Sequence, residues 1–203
     1  MLEAQLWEAS LLLSILVTQF VVLWAVIDPI GSVPVYLSQT QHLTPKQRRL
    51  VALKAIAISA GVLLFFLAVG QMLLEAMQIP LPAFQAAGGL VLLLFALTMI
   101  FGESKPEQEV KLIANIKEAA IFPLAIPSIA SPGAMLAAVL FTENEKFTIL
   151  EQFQVTVVML IVLVATLVLM LGASWIHRFI GSTGASLISR VMGVILASVA
   201  TAN

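Results

Sequence analysis

Long apolar stretches separated by short charged clusters dominate the chain, and the charge-free intervals locate its candidate membrane spans. Five intervals run over residues 9–27, 55–74, 76–102, 119–142 and 152–176, each at least 19 residues long. A sixth apolar stretch, 186–203, is interrupted only by Arg190 near its start. A helix needs about 20 apolar residues to cross a hydrocarbon core of about 30 Å. β-barrel strands would show alternation over about ten residues, which these unbroken runs lack. The pattern predicts an all-α integral membrane protein with six transmembrane helices. Glu3 and Glu8 stand where a signal peptide would be basic, and the first apolar run is too long for one, so the N-terminus is expected to be retained. The last stretch ends at Asn203 without an interfacial anchor, which leaves a continuation of the natural chain open.

Within this pattern lies an internal duplication. Asp28-Pro29-Ile30-Gly31 recurs loosely as Ser131-Pro132-Gly133-Ala134, with the prolines 103 positions apart. Gly89-Leu90-Val91-Leu92 recurs as Gly193-Val194-Ile195-Leu196 at an offset of 104, and the second span shifted by 103 lands on the fifth. Three spans per unit is an odd number, so the second copy must enter the membrane inverted. The expected organisation is a first three-helix repeat over 1–101, a cytoplasmic linker over 102–118 and a second, inverted three-helix repeat over 119–203. Inverted repeats of this kind are a transporter signature, with the substrate site near the midplane where they meet.

The distribution of charge orients the array. Lys46, Arg48, Arg49, Lys54, Lys105, Lys111, Lys117, Arg178 and Arg190 fall after the odd-numbered spans, and only Lys146 falls on the opposite side. By the positive-inside rule both termini lie outside the cytoplasm. Composition then narrows the chemistry. Hydrophobic residues make up 61% of the 203 residues and charged ones 10%, against about 25% charged in a soluble domain. Mean hydropathy is +1.07. A net charge of -1 gives no basic surface for nucleic acid, and the absence of cysteine removes thiol, disulfide and iron–sulfur chemistry. His42 and His177 alone make no metal site, and no cofactor is expected. A single aspartate excludes an intramembrane aspartyl dyad, and no His-Glu-x-x-His run is present, so the chain is not expected to be an enzyme. A role for His177 beside Ser131 is left open only through the fold.

Asp28 is the sole aspartate, set in Val-Ile-Asp-Pro-Ile-Gly-Ser-Val-Pro. Asp as a cap followed by Pro at the first helical position is a helix-start signal, yet it follows an apolar helix without a soluble linker. The pattern predicts broken first and fourth helices, with helix-breaking prolines at Pro29, Pro34, Pro127 and Pro132. Ser131 is the cap of the second break. The span 9–27 alone is almost long enough to cross, which would put Asp28 at the cytoplasmic boundary. The length from Ala9 to His42 favours a break inside the membrane. Unwound backbone at that depth is tolerated only beside protein or a watery cavity. Paired half-helix N-termini favour a carboxylate, and Asp28 an ammonium group or a coupling cation, so a zwitterion such as an amino acid matches. Asp28, Gly31, Ser32, Ser128, Ser131 and Gly133 are the candidate substrate-binding residues. Set beside this, Asp28 and Ser131 as caps alone, and Ser32 and Ser128 as hydroxyls bonded to their own helices, are the plain structural alternatives. Arg190 either snorkels to the cytoplasmic face or pairs with Asp28. Gly88, Gly89 and Gly193 are expected to let helices approach closely.

These segments resemble the MarC family of bacterial integral membrane proteins, also described as a neutral amino acid transporter family. The resemblance covers nearly the whole chain. It is carried by Asp28-Pro29-Ile30-Gly31-Ser32-Val33-Pro34, Ala87-Gly88-Gly89, Pro123-Leu124-Ala125-Ile126-Pro127 with Pro132-Gly133, and Arg190-Val191-Met192-Gly193. Where the family usually reads Ala-Gly-Pro-Gly, this chain has Ala130-Ser131-Pro132-Gly133, and Ser128 replaces a commonly apolar residue. Both departures add hydroxyls beside the expected site. The resemblance implies a six-span protein of the bacterial inner membrane that moves small neutral amino acids, glycine- or alanine-like, by alternating access. Proton or cation coupling would fall to Asp28. The alternative is a channel for a small neutral solute lined by the paired half-helices. Membrane lipid and the solute are the expected partners, with homo-oligomerisation left open.

Overall fold

A computed structural model describes residues 2–40, 43–101, 124–142 and 148–202, and every element among them is helical. The first apolar stretch is divided into α1 (Leu2–Ile27) and α2 (Ser32–Thr40), joined by the turn at Asp28–Gly31. α3 (Pro45–Ala76) starts at a capping box in which Thr44 Oγ1 accepts from the Gln47 N–H and the Thr44 N–H donates to Gln47 Oε1. α4 (Leu81–Phe101) completes the first half. The second half begins with a π-helical segment, Leu124–Ile129, whose Ile126 is extended and precedes a cis peptide bond to Pro127. It is followed by α5 (Pro132–Leu140), α6 (Ile149–Leu171) and α7 (Ala173–Ala202). α6 starts at a second capping box, between Thr148 and Glu151. The expected linker 102–118 and His42 lie outside the described residues.

Among the described residues, four stretches are long and apolar enough to cross a membrane: Leu13–Leu37, which includes the turn at Asp28–Gly31, Pro45–Gly70, Pro82–Phe101 and Ile149–Leu171. The other two expected crossings are interrupted, and the interruptions have local causes. At about 1.5 Å per residue α5 reaches only about 14 Å. Its π-helical predecessor cannot extend it, because Ile126 is extended and Pro127 lacks an N–H. α7 contains Gly181 at φ 65°, a conformation that glycine alone adopts readily, and its apolar part is Ser186–Thr201.

The interior mixes many alanines with a smaller set of large side chains at its centre. Ala25, Ala52, Ala55, Ala96, Ala125, Ala130, Ala134 and Ala137 are all buried, together with Leu23, Ile27, Leu63, Met159 and Leu163. Other large apolar residues face outward, among them Phe65, Met72, Leu90, Leu94, Val164 and Val168, each at least 37% exposed. A soluble protein rarely exposes so much contiguous apolar surface, whereas in a bilayer it faces acyl chains. The many buried alanines suit helices that associate by close backbone packing.

The most extensive helix interface joins α4 to α7. A Cβ built on Gly89 would lie 3.2 Å from the Ala200 carbonyl oxygen, and one built on Gly193 would lie 3.0 Å from the Ala96 carbonyl oxygen. Residue numbers rise along one helix as they fall along the other, so the two run antiparallel. Around this pair, α1 packs on α6, and α3 on both α5 and α6, while α7 also meets α1 and α2. α5 lies against α1, α3 and α4, where Gly133 faces Phe95 and Gly88 faces Leu136 and Leu140.

Gly193→Ala would bring its methyl group 2.9 Å from Met99 Cβ as well as against the Ala96 carbonyl. Overpacking of this kind destabilises by about 1–3 kcal/mol. Thermal unfolding in detergent should show a clear drop in Tm for Gly193→Ala. The drop for Gly89→Ala should be smaller, since only one backbone atom crowds that position.

Candidate functional site

The first break is organised by one residue that ends a helix and begins another. The Asp28 N–H still donates to the Trp24 carbonyl, the last helical bond of α1. Its φ is 49°, the left-handed region that closes helices and that Asp enters more readily than most residues. Its carboxylate then caps the next turn, Oδ1 accepting from the Gly31 N–H at 3.0 Å, while its carbonyl accepts from the Ser32 N–H at 3.1 Å. Oδ2 accepts from the Ser189 hydroxyl of α7 at 2.8 Å. Asp28 is 1% exposed. Arg190, next to Ser189, points outward and is exposed. The structure thus places neutral donors, and not Arg190, against the buried carboxylate.

At the second break the same local device recurs with a neutral cap. Ser131 precedes α5 with extended backbone, and its Oγ accepts from the Ala134 N–H at 3.1 Å. Pro132 occupies the first helical position, where a missing N–H does no harm. The same hydroxyl donates to the Val26 carbonyl at 2.8 Å, which lies in the last turn of α1. Ser128 and Ser32 face each other across the two halves with their hydroxyl oxygens 3.3 Å apart, and Ser32 also donates to the Asp28 carbonyl. From α3, Ser59 donates to the Ala125 carbonyl at 3.2 Å. The two breaks, over 100 residues apart in the chain, form one buried polar cluster.

All six expected binding residues fall in or beside this cluster. Asp28, Ser32 and Ser128 are joined by hydrogen bonds, and Ser131 is tied to the end of the same α1 through the Val26 carbonyl. Gly31 is required by space, since a Cβ there would overlap the Asp28 carboxylate and lie 2.7 Å from Ser189 Oγ. Gly133 lies under the Phe95 ring, at the side of the cluster. The prolines divide in role. Pro29 is in the turn and Pro127 in the π-helical segment, whereas Pro34 lies inside the first turn of α2 and Pro132 at the start of α5. Ser189 and Ser59 are the members that sequence reasoning missed. Ser59 is the one serine of α3 and Ser189 one of several in α7, and nothing local separates such a serine from one bonded to its own backbone.

None of the polar side-chain atoms of Asp28, Ser32, Ser59, Ser128, Ser131 or Ser189 is buried without a partner. The arrangement is therefore closed, with each cap spent on the protein itself. A solute could enter only by exchanging its own hydrogen bonds for these, an exchange with little net energy because bonds are replaced and not simply lost.

A family model described as "MarC family integral membrane protein" matches residues 13–202. The chain is 33% identical to the UPF0056 membrane protein of Methanocaldococcus jannaschii over 88% of each chain. It is 30% identical to the UPF0056 inner membrane protein YhgN of Escherichia coli over 92% of each, and 31% identical to a UPF0056 membrane protein of Aquifex aeolicus over 90% of this chain and 87% of the relative. No solved structure matches the chain.

Ser131→Ala would leave the Ala134 N–H and the Val26 carbonyl without their shared partner. At about 1–3 kcal/mol for an unsatisfied buried group, Tm should fall measurably. Ser131→Thr should fall less, because it keeps the hydroxyl. Equal losses in the two variants, measured by thermal unfolding in detergent, would show that the hydroxyl bonds contribute nothing.

Proposed function

Because this chain belongs to the MarC family of integral membrane proteins, we propose that it is a secondary transporter of small neutral amino acids, working by alternating access about the paired breaks. The observation that carries this reading is the buried cluster in which Asp28 and Ser131, each capping a helix that starts at a break, are joined to the opposite half of the chain. Glycine or alanine would exchange its carboxylate for the capping oxygens at the helix starts, and its ammonium group would meet Asp28. Among the described residues the Asp28 carboxylate meets only neutral donors, which leaves its charge available to a cation or an ammonium group that accompanies the solute.

Alternating access needs two similar halves, and the proposal includes six crossings arranged as inverted three-helix repeats. Three correspondences support it. The cap from Asp28 to Gly31 and the cap from Ser131 to Ala134 coincide on a shift of 103. The Gly89–Ala200 and Gly193–Ala96 contacts interchange on a shift of 104, as do the Thr44 and Thr148 capping boxes. Antiparallel packing of α4 on α7 is what an inverted pair requires of equivalent helices. The proposed setting is a bacterial inner membrane with both termini on the outer side, and no enzymatic activity is proposed. A channel for a small neutral solute is the alternative. The closed, fully hydrogen-bonded cluster favours a carrier, since a pore would have to keep its polar lining open.

Purified protein in proteoliposomes should take up labelled alanine or glycine with saturation and should show trans-stimulation by unlabelled solute inside. Asp28→Asn should reduce flux by at least about tenfold, the loss of roughly one charge-assisted bond, and should remove any dependence on an imposed proton or cation gradient. Flux without trans-stimulation would point to the channel. Unchanged flux in Asp28→Asn would remove the carboxylate from the mechanism.

A further inference from the structure

Gln19 is a glutamine in the apolar helix α1 that is 1% exposed, and neither its amide oxygen nor its amide nitrogen has a hydrogen-bond partner among the described residues. Such a group is expensive in an apolar setting, and because both amide atoms are covered in this state a turn of the side chain toward the adjoining cavity is needed for a ligand or water to satisfy it. It lines a cavity of about 200 Å³ together with Ser14, Ile15, Thr18 and Phe141. At roughly 30 Å³ per water molecule, that volume holds a solute of several non-hydrogen atoms with water beside it. Ser14 and Thr18 are exposed at the cavity, so it opens on the protein surface, near the start of the candidate span Leu13–Leu37.

The cavity is aligned with the central cluster. Ser131, before the first residue of α5, bonds the Val26 carbonyl of α1, and Phe141, at the other end of α5, meets α1 near Gln19. α5 therefore runs beside α1 in the opposite direction, linking the cavity to the break. Along α1, Gln19 precedes Asp28 by nine residues, or about 14 Å. Between Ser131 and Phe141 the buried residues of α5 include Ala134, Ala137 and Ala138, whose small side chains hinder separation of the two helices least.

We infer that Gln19 is an entrance binding station for the same small zwitterionic solutes, at the outer end of an access route along the α1–α5 seam. A zwitterion suits the amide because its carboxylate accepts from the amide nitrogen and its ammonium group donates to the amide oxygen. The inference rests on the transport reading above, and it adds a second site and a route to it.

The test uses Gln19→Leu in the full chain, with alanine uptake measured in intact cells and thermal unfolding measured on the purified protein. Gln19→Leu should raise the KM for external alanine by about tenfold, the worth of one or two hydrogen bonds, while Tm stays the same or rises because an unpartnered amide is removed. An unchanged KM would overturn the station. A fall in Tm would do so as well, since it would mean that the protein itself holds the amide. The chain has no cysteine, so Thr18→Cys gives a single thiol at the cavity. An impermeant maleimide added outside should label it, and alanine should slow the labelling. Absence of labelling, or labelling that alanine does not slow, would count against the station. If the parent protein showed no saturable uptake the transport reading would fall with it, whereas saturable uptake with a normal KM in Gln19→Leu would remove the station alone.

Discussion

Interrupting a helix inside an apolar protein leaves backbone N–H and C=O groups that no water is at hand to satisfy, and the architecture follows from how this chain meets that demand. Each interruption is closed by a single side chain placed three residues before the amide it serves, Asp28 for Gly31 and Ser131 for Ala134. The spare capacity of each cap is then spent at long range. The second carboxylate oxygen of Asp28 reaches α7, and the Ser131 hydroxyl proton reaches the end of α1. What begins as a local repair becomes the tie between the two halves, so the breaks can exist only where those halves meet.

The packing around the cluster is subordinate to that demand. Gly31 leaves room for the Asp28 carboxylate to fold back over its own turn, and Ser189 has to arrive from α7 within hydrogen-bond distance. That approach requires α7 to sit close to its neighbours, which Gly193 permits by resting against the Ala96 carbonyl of α4. Many further large apolar side chains face the outer surface, where lipid accepts them. A polar cluster held by alanine- and glycine-lined contacts can rearrange more readily than one locked by interdigitated large side chains, a property that alternating access would use.

Much of this was legible in the chain. The helical class, the two interruptions and their capping residues follow from apolar length and from Asp-Pro and Ser-Pro dipeptides, all of which act within a turn or two. The matching spacing of prolines and glycines, 103 and 104 positions, was visible for the same reason. Two further landmarks were present but unread: Thr44 with Gln47, and Thr148 with Glu151, form the Thr-x-x-Gln/Glu pattern of a capping box. Gln19 was visible too, as an amide in an apolar helix, but its lack of a partner is a property of the surroundings. Pro34 shows the opposite case. It reads as a breaker, yet the first turn of α2 accommodates it because no helical N–H is needed there.

By itself the sequence determined that the chain is helical, that it belongs in a membrane, where its helices are interrupted and which residues cap the interruptions. These are consequences of residue types and spacings along a few turns. Only the tertiary structure decided that Ser189 and not Arg190 faces Asp28, that Ser131 bonds Val26, and that Ser128 meets Ser32. Those partners are separated by 161, 105 and 96 positions. No local pattern encodes such pairings. They depend on the angle and depth at which helices pack, and those are set by the sum of many small contacts across α1, α2, α5 and α7.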